Sequence, residues 1–485
     1  MTNDTQNSVL LTTFSTGKKL LRVIYHNDKI VWDNQKSSSE QYTLPLENII
    51  SVKQNYLASG HPAEDQQLDP YRFTIHYAER PKGAKWVYKK IVLKHTEQIQ
   101  ILSWVKTLNF HLKNFINRPK HILLFVNPFG GKKNAMQIYE KYGKPLFSIA
   151  GMEVTVNVSQ RKDQIKDFLI HHSLDMFDSV ACVGGDGTVS ELFNGLVLRE
   201  CKKHGVNADD MDQVLPKPKL PIGIIPGGST DTIAYCIHGT TDPTTAVLQI
   251  IFGDKLGLDL VSVYDENSLL RLFASVFSYG YLGDVAYHSD RLRWMGPHRY
   301  DYSGFKKLVS NKGYTGQLAI YSDQPKVTKE ICHESCDKCL SNKNSKCDNL
   351  SCHWEIFEGK FFMVSAANIS CACSRSPKGI APYSHLGDGL VHLVLVKHTS
   401  FINNIRLLLR LSSKNSSVED LPFVKTHCAR EFCFRALEGA SKWNSDGEIQ
   451  PQTNIRAKVR CQLLTIFSRG SPKESEIDKV KCCAF

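Results

Sequence analysis

Three apolar runs, each ending in a cluster of small residues, constrain this chain more than any other feature. Ile122-Leu123-Leu124-Phe125-Val126 leads into Asn127-Pro128-Phe129-Gly130-Gly131-Lys132; Ser179-Val180-Ala181-Cys182-Val183 leads into Gly184-Gly185-Asp186-Gly187-Thr188; Ile222-Gly223-Ile224-Ile225 leads into Pro226-Gly227-Gly228-Ser229-Thr230-Asp231. The rhythm of apolar strand, glycine turn and helix predicts a parallel sheet that delivers all three turns to one edge. The helix after the second turn shows its apolar face at Val189, Leu192, Phe193, Leu196 and Val197, spaced i, i+3, i+4, i+7, i+8.

Glycines in such turns allow positive φ and a close approach of backbone to phosphate, and the following helix adds unpaired amides and a positive dipole end. Asp186 is the anomaly. A carboxylate beside a polyanion repels it unless a cation intervenes or the acid accepts a proton, so Asp186 points to Mg²⁺ coordination, general-base chemistry or both. Alone it would read as an ordinary Asp-Gly turn; three turns at one edge argue against that. No Walker loop and no ordered pair of protein-kinase catalytic loop and D-F-G motif is present. ATP has to be held by another device.

The 485 residues suffice for two or three domains. Residues 1–116 carry short strand patterns at Leu20–Tyr25, Tyr71–Ile75 and Trp86–Leu93, then a helical stretch from Glu97 to Asn114 that includes Trp104. Residues 120–256 form the α/β unit. Residues 257–470 read as a β-rich lobe with strands at Leu270–Phe277, Phe361–Ala366, Val391–Val396 and Cys461–Phe467, interrupted by a Cys-rich insertion over 323–350, and 471–485 form a basic tail. A net charge of +12 favours anionic partners such as nucleotides and acidic membranes. With no signal-peptide pattern and no apolar run of about 18–20 residues, the expectation is a cytoplasmic protein, peripheral on membranes, whose 15 cysteines are thiols, metal ligands or lipidation sites.

The turns N-P-x-x-G-[GK], G-G-D-G-T and P-x-G-[ST], in this order and spacing, resemble the diacylglycerol and sphingolipid kinase superfamily over Lys120 to Ser468. The resemblance implies a multidomain α/β plus all-β protein: an α/β nucleotide-binding lobe with a parallel sheet, a C-terminal β-sandwich lobe, and an active site between them that uses ATP and Mg²⁺. It implies that Asp186 activates a lipid hydroxyl and that Asn127, Pro128, Gly130, Gly131, Lys132, Ser159, Gly184, Gly185, Gly187, Thr188, Gly228, Ser229 and Thr230 line the ATP site. Arg293 and Arg299, in Arg291-Leu292-Arg293-Trp294-Met295-Gly296-Pro297-His298-Arg299, match a segment whose arginines reach phosphate. Asp446-Gly447-Glu448 matches a late D-G-E motif, with Glu448 organising nucleotide and metal. Asp231 and Asp284 are the lipid-side candidates. Residues 1–116 resemble a pleckstrin homology β-barrel, which implies phosphoinositide docking.

Further details resemble the ceramide-kinase branch. These are Cys332-x3-Cys336-x2-Cys339, the run Ser370-Cys371-Ala372-Cys373-Ser374-Arg375-Ser376-Pro377-Lys378-Gly379, and His385-Leu386-Gly387-Asp388-Gly389. Ala286 stands where sphingosine kinases usually carry an acid suited to a free amine, so the implied acceptor is ceramide in membranes of the Golgi or cell surface, with sphingosine or diacylglycerol as alternatives. An NAD kinase and a non-catalytic phosphoinositide adaptor are the more distant rivals, and no nucleic-acid partner is expected. Cys332, Cys336 and Cys339 either hold structural Zn²⁺, with Cys347, Cys352 or His333 as fourth ligand, or remain free thiols. Ile405–Leu411, preceded by Phe401, reads as a surface helix for lipid or calmodulin, which would accompany Ca²⁺ stimulation, or equally as a core helix. Cys482-Cys483-Ala484-Phe485 fits a prenylation box at Cys482.

Overall fold

The computed structural model describes residues 9–34, 37–56, 68–131, 133–295, 298–322, 329–341, 353–373, 376–414, 416–445, 448–450 and 452–472. At the N-terminal end seven strands, from Leu10–Thr16 to Lys85–Lys94, form one antiparallel sheet in the spatial order fourth, third, second, first, seventh, sixth, fifth. The helix Gln98–Leu112 covers it with Ile101, Trp104 and Leu108, all fully buried. Trp104 satisfies its indole N–H by donating to Thr12 Oγ1 at 2.9 Å and meets Phe14 edge-on at 5.4 Å.

The nucleotide lobe contains one parallel strand more than the glycine turns predict. Glu153–Val158, His121–Val126, Ser179–Gly184 and Ile222–Pro226 lie side by side in that order. The strand not anticipated, Glu153–Val158, sits at the edge with most of its side chains exposed, so it lacks the continuous apolar run that marks its neighbours. The chain order along the sheet is second, first, third, fourth. Its topological switch point falls between His121–Val126 and Ser179–Gly184, and crevices for ligands open at the carboxyl ends of such strands.

The C-terminal lobe is antiparallel, packed around Phe273, Phe277, Tyr279, Tyr314, Phe434 and Trp443. The single strand expected over Leu270–Phe277 is two, Leu269–Phe273 and Val276–Gly280. The break at Ala274-Ser275 has a cause: Asn368 donates from its side chain to Ala274 O and from its backbone to Ser275 O, replacing ladder bonds that a straight strand would make.

Two long strands join the lobes. Lys255–Tyr264 pairs with Ile455–Phe467 along nearly its whole length, and Ile466 then pairs in parallel with Ile222. The end of the β-rich lobe is therefore a strand of the nucleotide sheet. Where the pair passes between lobes the register slips between Leu258 and Leu260, and Gln462 adopts φ 45°. Buried Asp259 holds the slip by accepting from the Gln462 and Gly389 amides at 2.5 and 2.6 Å.

The N-terminal unit shares its core with the nucleotide lobe, where Ile50, Ala78 and Trp86 join Ile251 and Phe252. Arg469 lies over both Trp86 and Phe252, at 5.0 and 4.1 Å from the ring centres, and donates to Asn48 Oδ1 at 2.6 Å. Among the described residues no helix is long and apolar enough to cross a membrane. Trp104→Ala is expected to lower the stability of the N-terminal unit by about 3–5 kcal/mol, the usual cost of emptying an aromatic core site. The first transition in urea unfolding of the whole chain measures it.

Candidate active site

The three glycine turns meet at the switch point, in direct backbone contact. A methyl group on Gly131 would lie 2.6 Å from Gly228 Cα, and one on Gly228 would lie 2.5 Å from Gly185 Cα. Gly131 also needs its glycine for φ +56°. Asn127 ties the first turn to the second. Its backbone N–H donates to Val183 O, its side-chain amide donates to Thr188 Oγ1 at 2.9 Å, and its Oδ1 accepts the Phe129 N–H at 3.0 Å. Thr188 is buried, and Gly184 is small because a methyl there would lie 2.5 Å from the Thr188 hydroxyl.

Asp186 opens the helix Asp186–His204, and its carboxylate reaches the start of the helix Thr232–His238, accepting from the Thr232 and Ile233 amides at 3.1 and 2.9 Å. Burial pushes its pKa above the ordinary carboxylate value, and these amides oppose the shift. Asp231 is left-handed at φ 53° and accepts the Gly228 N–H at 2.7 Å, so it shapes the third turn. Ser229 and Thr230 are exposed at its tip, and Pro128 and Gly130 of the first turn are half-buried. Ser159 is buried at the end of the edge strand, its N–H on Val126 O.

Glu448 comes from the other lobe yet reaches this region. Its carboxylate pairs with Lys162 at 3.0 Å, three residues beyond Ser159, and with Arg271 at 2.9 Å, while Arg271 also donates to Ser190 Oγ on the Asp186 helix at 2.6 Å. Sequence reasoning missed Lys162 and Arg271. Arg271 does leave a trace, as one charge inside Leu269-Leu270-Arg271-Leu272-Phe273; Lys162 leaves none, being one of many surface lysines.

Other candidates stand apart. Asp284 is held inside the C-terminal lobe, accepting from Tyr314 OH and Ser441 Oγ with Lys307 at 3.6 Å. Arg299 donates to Tyr300 OH at 2.7 Å and lies over that ring. Arg293 falls on a single helical turn, Arg293–Met295. Lys132, Asp446 and Cys482 lie outside the described residues. Cys332, Cys336 and Cys339 gather around His385, at the crossing strands.

The fit of a nucleotide can be tested on Gly187. Among the described residues nothing beyond its own helix turn lies within 4 Å of a methyl placed there, and its φ is not left-handed, so neither packing nor conformation calls for glycine. The space above the helix terminus suits a phosphate brought close to backbone amides. For a hard cation, Asp186 and Asp231 are the carboxylates on the turns and Glu448 reaches this region from the other lobe; magnesium typically binds one or two carboxylates alongside phosphate oxygens.

Fold and site together define a lipid-kinase type of nucleotide lobe: residues 121–263 match the diacylglycerol kinase catalytic domain and residues 273–438 the ceramide kinase C-terminal domain. A Bacillus anthracis protein provisionally assigned as a diacylglycerol kinase shares the fold, with a TM-score of 0.51 at 16% identity over 72% of this chain and 97% of that one. The human ceramide kinase is 32% identical over 90% of both chains, and the mouse ceramide kinase is 33% identical over 89% of this chain and 90% of its own. The chain belongs to the ceramide kinase family.

Gly228→Ala is expected to destabilise the chain by about 1–3 kcal/mol, because both atoms in the clash are backbone or fixed by it. Gly187→Ala is expected to raise stability by about 0.5 kcal/mol through the reduced freedom of the unfolded chain. Thermal unfolding of the two variants side by side measures the contrast.

Proposed function

We propose that this protein transfers the γ-phosphoryl group of ATP to the primary hydroxyl of ceramide, giving ceramide 1-phosphate and ADP. The observation that carries the reading is the convergence of three glycine turns on one amide-held acid, Asp186, in a chain whose C-terminal lobe matches the ceramide kinase domain. The amides at Gly185 and Gly187, at the start of the Asp186 helix, bind phosphate oxygens, and Asp186 takes the proton from the attacking hydroxyl as its oxygen bonds to phosphorus and the bond to ADP breaks. Magnesium, when bound, neutralises phosphate charge, and Asp186 and Glu448 are the residues to hold it. Lys162 and Arg271 fix the direction of Glu448.

A bilayer substrate calls for a membrane-facing surface. The helices His298–Ser310 and Phe401–Leu411 lie against each other, joined by an Asn404 to Asn311 hydrogen bond of 2.6 Å (Asn311 directly follows the first helix). Phe305, Ile402 and Leu409 are each more than 60% exposed, as is nearby Trp294, and Arg406 and Arg410 flank them. An apolar patch edged by arginines favours an acidic lipid surface. Leu407 and Asn404 of the second helix are buried, so calmodulin would have to compete with that packing. The seven-stranded N-terminal sheet with its Trp104 helix supports a pleckstrin-homology-like unit that docks on phosphoinositides. The protein then works peripherally at cytoplasmic faces of membranes.

Asp186→Asn is expected to cut phosphorylation of ceramide vesicles by about 10²–10⁴-fold without loss of folding, the range for removing a general base. Radiolabelled ATP with ceramide, sphingosine and diacylglycerol vesicles reads both the loss and the substrate; preference for either of the latter two would overturn ceramide. Because burial favours the neutral acid, the active carboxylate exists only above a raised pKa, and wild-type kcat/KM is expected to fall with acidification through a value above 3.8. A pH–rate profile measures it.

A further inference from the structure

We propose that Cys332, Cys336, Cys339 and His385 form a structural zinc site that clips the cysteine segment to the crossing between the two lobes. Four ligand atoms, one from each residue, lie within 4.8 Å of one another. Cys332 Sγ and Cys339 Sγ are 3.7 Å apart, and Cys336 Sγ is 3.1 Å from His385 Nδ1. A tetrahedral zinc with bonds of about 2.3 Å to sulfur and about 2.0 Å to nitrogen sets sulfurs about 3.8 Å apart and sulfur and nitrogen about 3.5 Å apart. The Cys332–Cys339 edge matches this spacing, and the Cys336–His385 edge is slightly shorter.

The fourth ligand differs from every candidate that spacing suggests. His333 turns away, its Nδ1 on Glu334 O at 2.6 Å, and Cys347 and Cys352 lie outside the described residues. His385 arrives from the loop His385–Gly389, which the fold carries to the cysteines. Cys336 and His385 are buried, and thiols and an imidazole gain little from one another by contact alone. A metal that takes three thiolates and one imidazole turns this weak cluster into a strong one, and four protein ligands leave no open position for catalysis.

The clip has something to hold. Gln462, at the register slip of the crossing strands, donates through one side-chain nitrogen to both Cys339 O at 2.7 Å and Gly387 O at 2.9 Å. Leu386 O accepts the Asp259 N–H at 2.8 Å, and the Glu334 N–H bonds Ser471 O at 2.8 Å while Glu334 pairs with Arg80 of the N-terminal unit. Leu386, Cys332 and Cys339 pack in the same core as Ile233 and Ile237, on the helix whose first amides hold Asp186. The metal would brace the lobe crossing beneath the catalytic acid.

The whole chain, purified in reductant without added metal and desalted, is expected to carry about one zinc per molecule by plasma mass spectrometry, as a closed site of this type does. Cys336→Ser and His385→Ala are expected to lose it, and His333→Ala and Cys371→Ser to keep it. Should the first two not fold, the wild type still decides: a mercurial should release its zinc to a chromogenic chelator, and cobalt should substitute with tetrahedral thiolate absorption. Folded wild type that holds neither metal, or a Cys336→Ser chain that retains its zinc, overturns the proposal. The readout is metal content, so a failure to phosphorylate ceramide would count against the enzymatic reading and leave this one untouched.

Discussion

Backbone touching backbone at Gly131, Gly185 and Gly228 is the contact on which the rest of the site depends. Three loops from three strands can approach this closely only when none carries a side chain at the meeting point, and a single methyl there would sit about as far from its neighbour as a hydrogen-bonded atom. The arrangement places the end of the first strand, the start of the Asp186 helix and the third turn around one crevice. Asn127 and Asp231 then lock the turns with side-chain bonds to Thr188 and Gly228. The close meeting of the turns follows from backbone geometry before any charged side chain is considered.

Charge enters in a balanced way. Asp186 is taken partly out of water, which favours its neutral form, yet two amides at the start of a short helix favour the carboxylate. An acid poised between these influences can accept a proton and return it, which a fully exposed carboxylate does poorly. Glu448 is handled differently. It stands between Lys162 from the nucleotide lobe and Arg271 from its own lobe, so the Lys162 pair, together with the Arg271 bond to Ser190, links the two lobes.

That fastening matters because the lobes are not successive beads. The strand pair Lys255–Tyr264 and Ile455–Phe467 runs through both, and Asp259 and Gln462 manage the slip where the ladder changes lobes. The loop at His385 and the cysteine segment both converge on this point, and Arg469 just beyond it binds the N-terminal unit through Trp86. At the junction sequence-distant segments meet around the buried polar groups of Asp259 and Gln462.

Local pattern alone was enough for the three inner parallel strands, their glycine turns, the Asp186 helix and the singular acid within it, because an uninterrupted apolar run, a turn and a helical period are properties of neighbouring residues. The edge strand Glu153–Val158 escaped, since a strand bonded on one side only has no need of an apolar run. The partners of Glu448, the break at Ala274-Ser275 and the meeting of His385 with three cysteines were decided by tertiary structure alone. Each joins residues dozens to nearly three hundred positions apart, and nothing in the composition of either segment encodes where the other will lie until a shared core has brought them together.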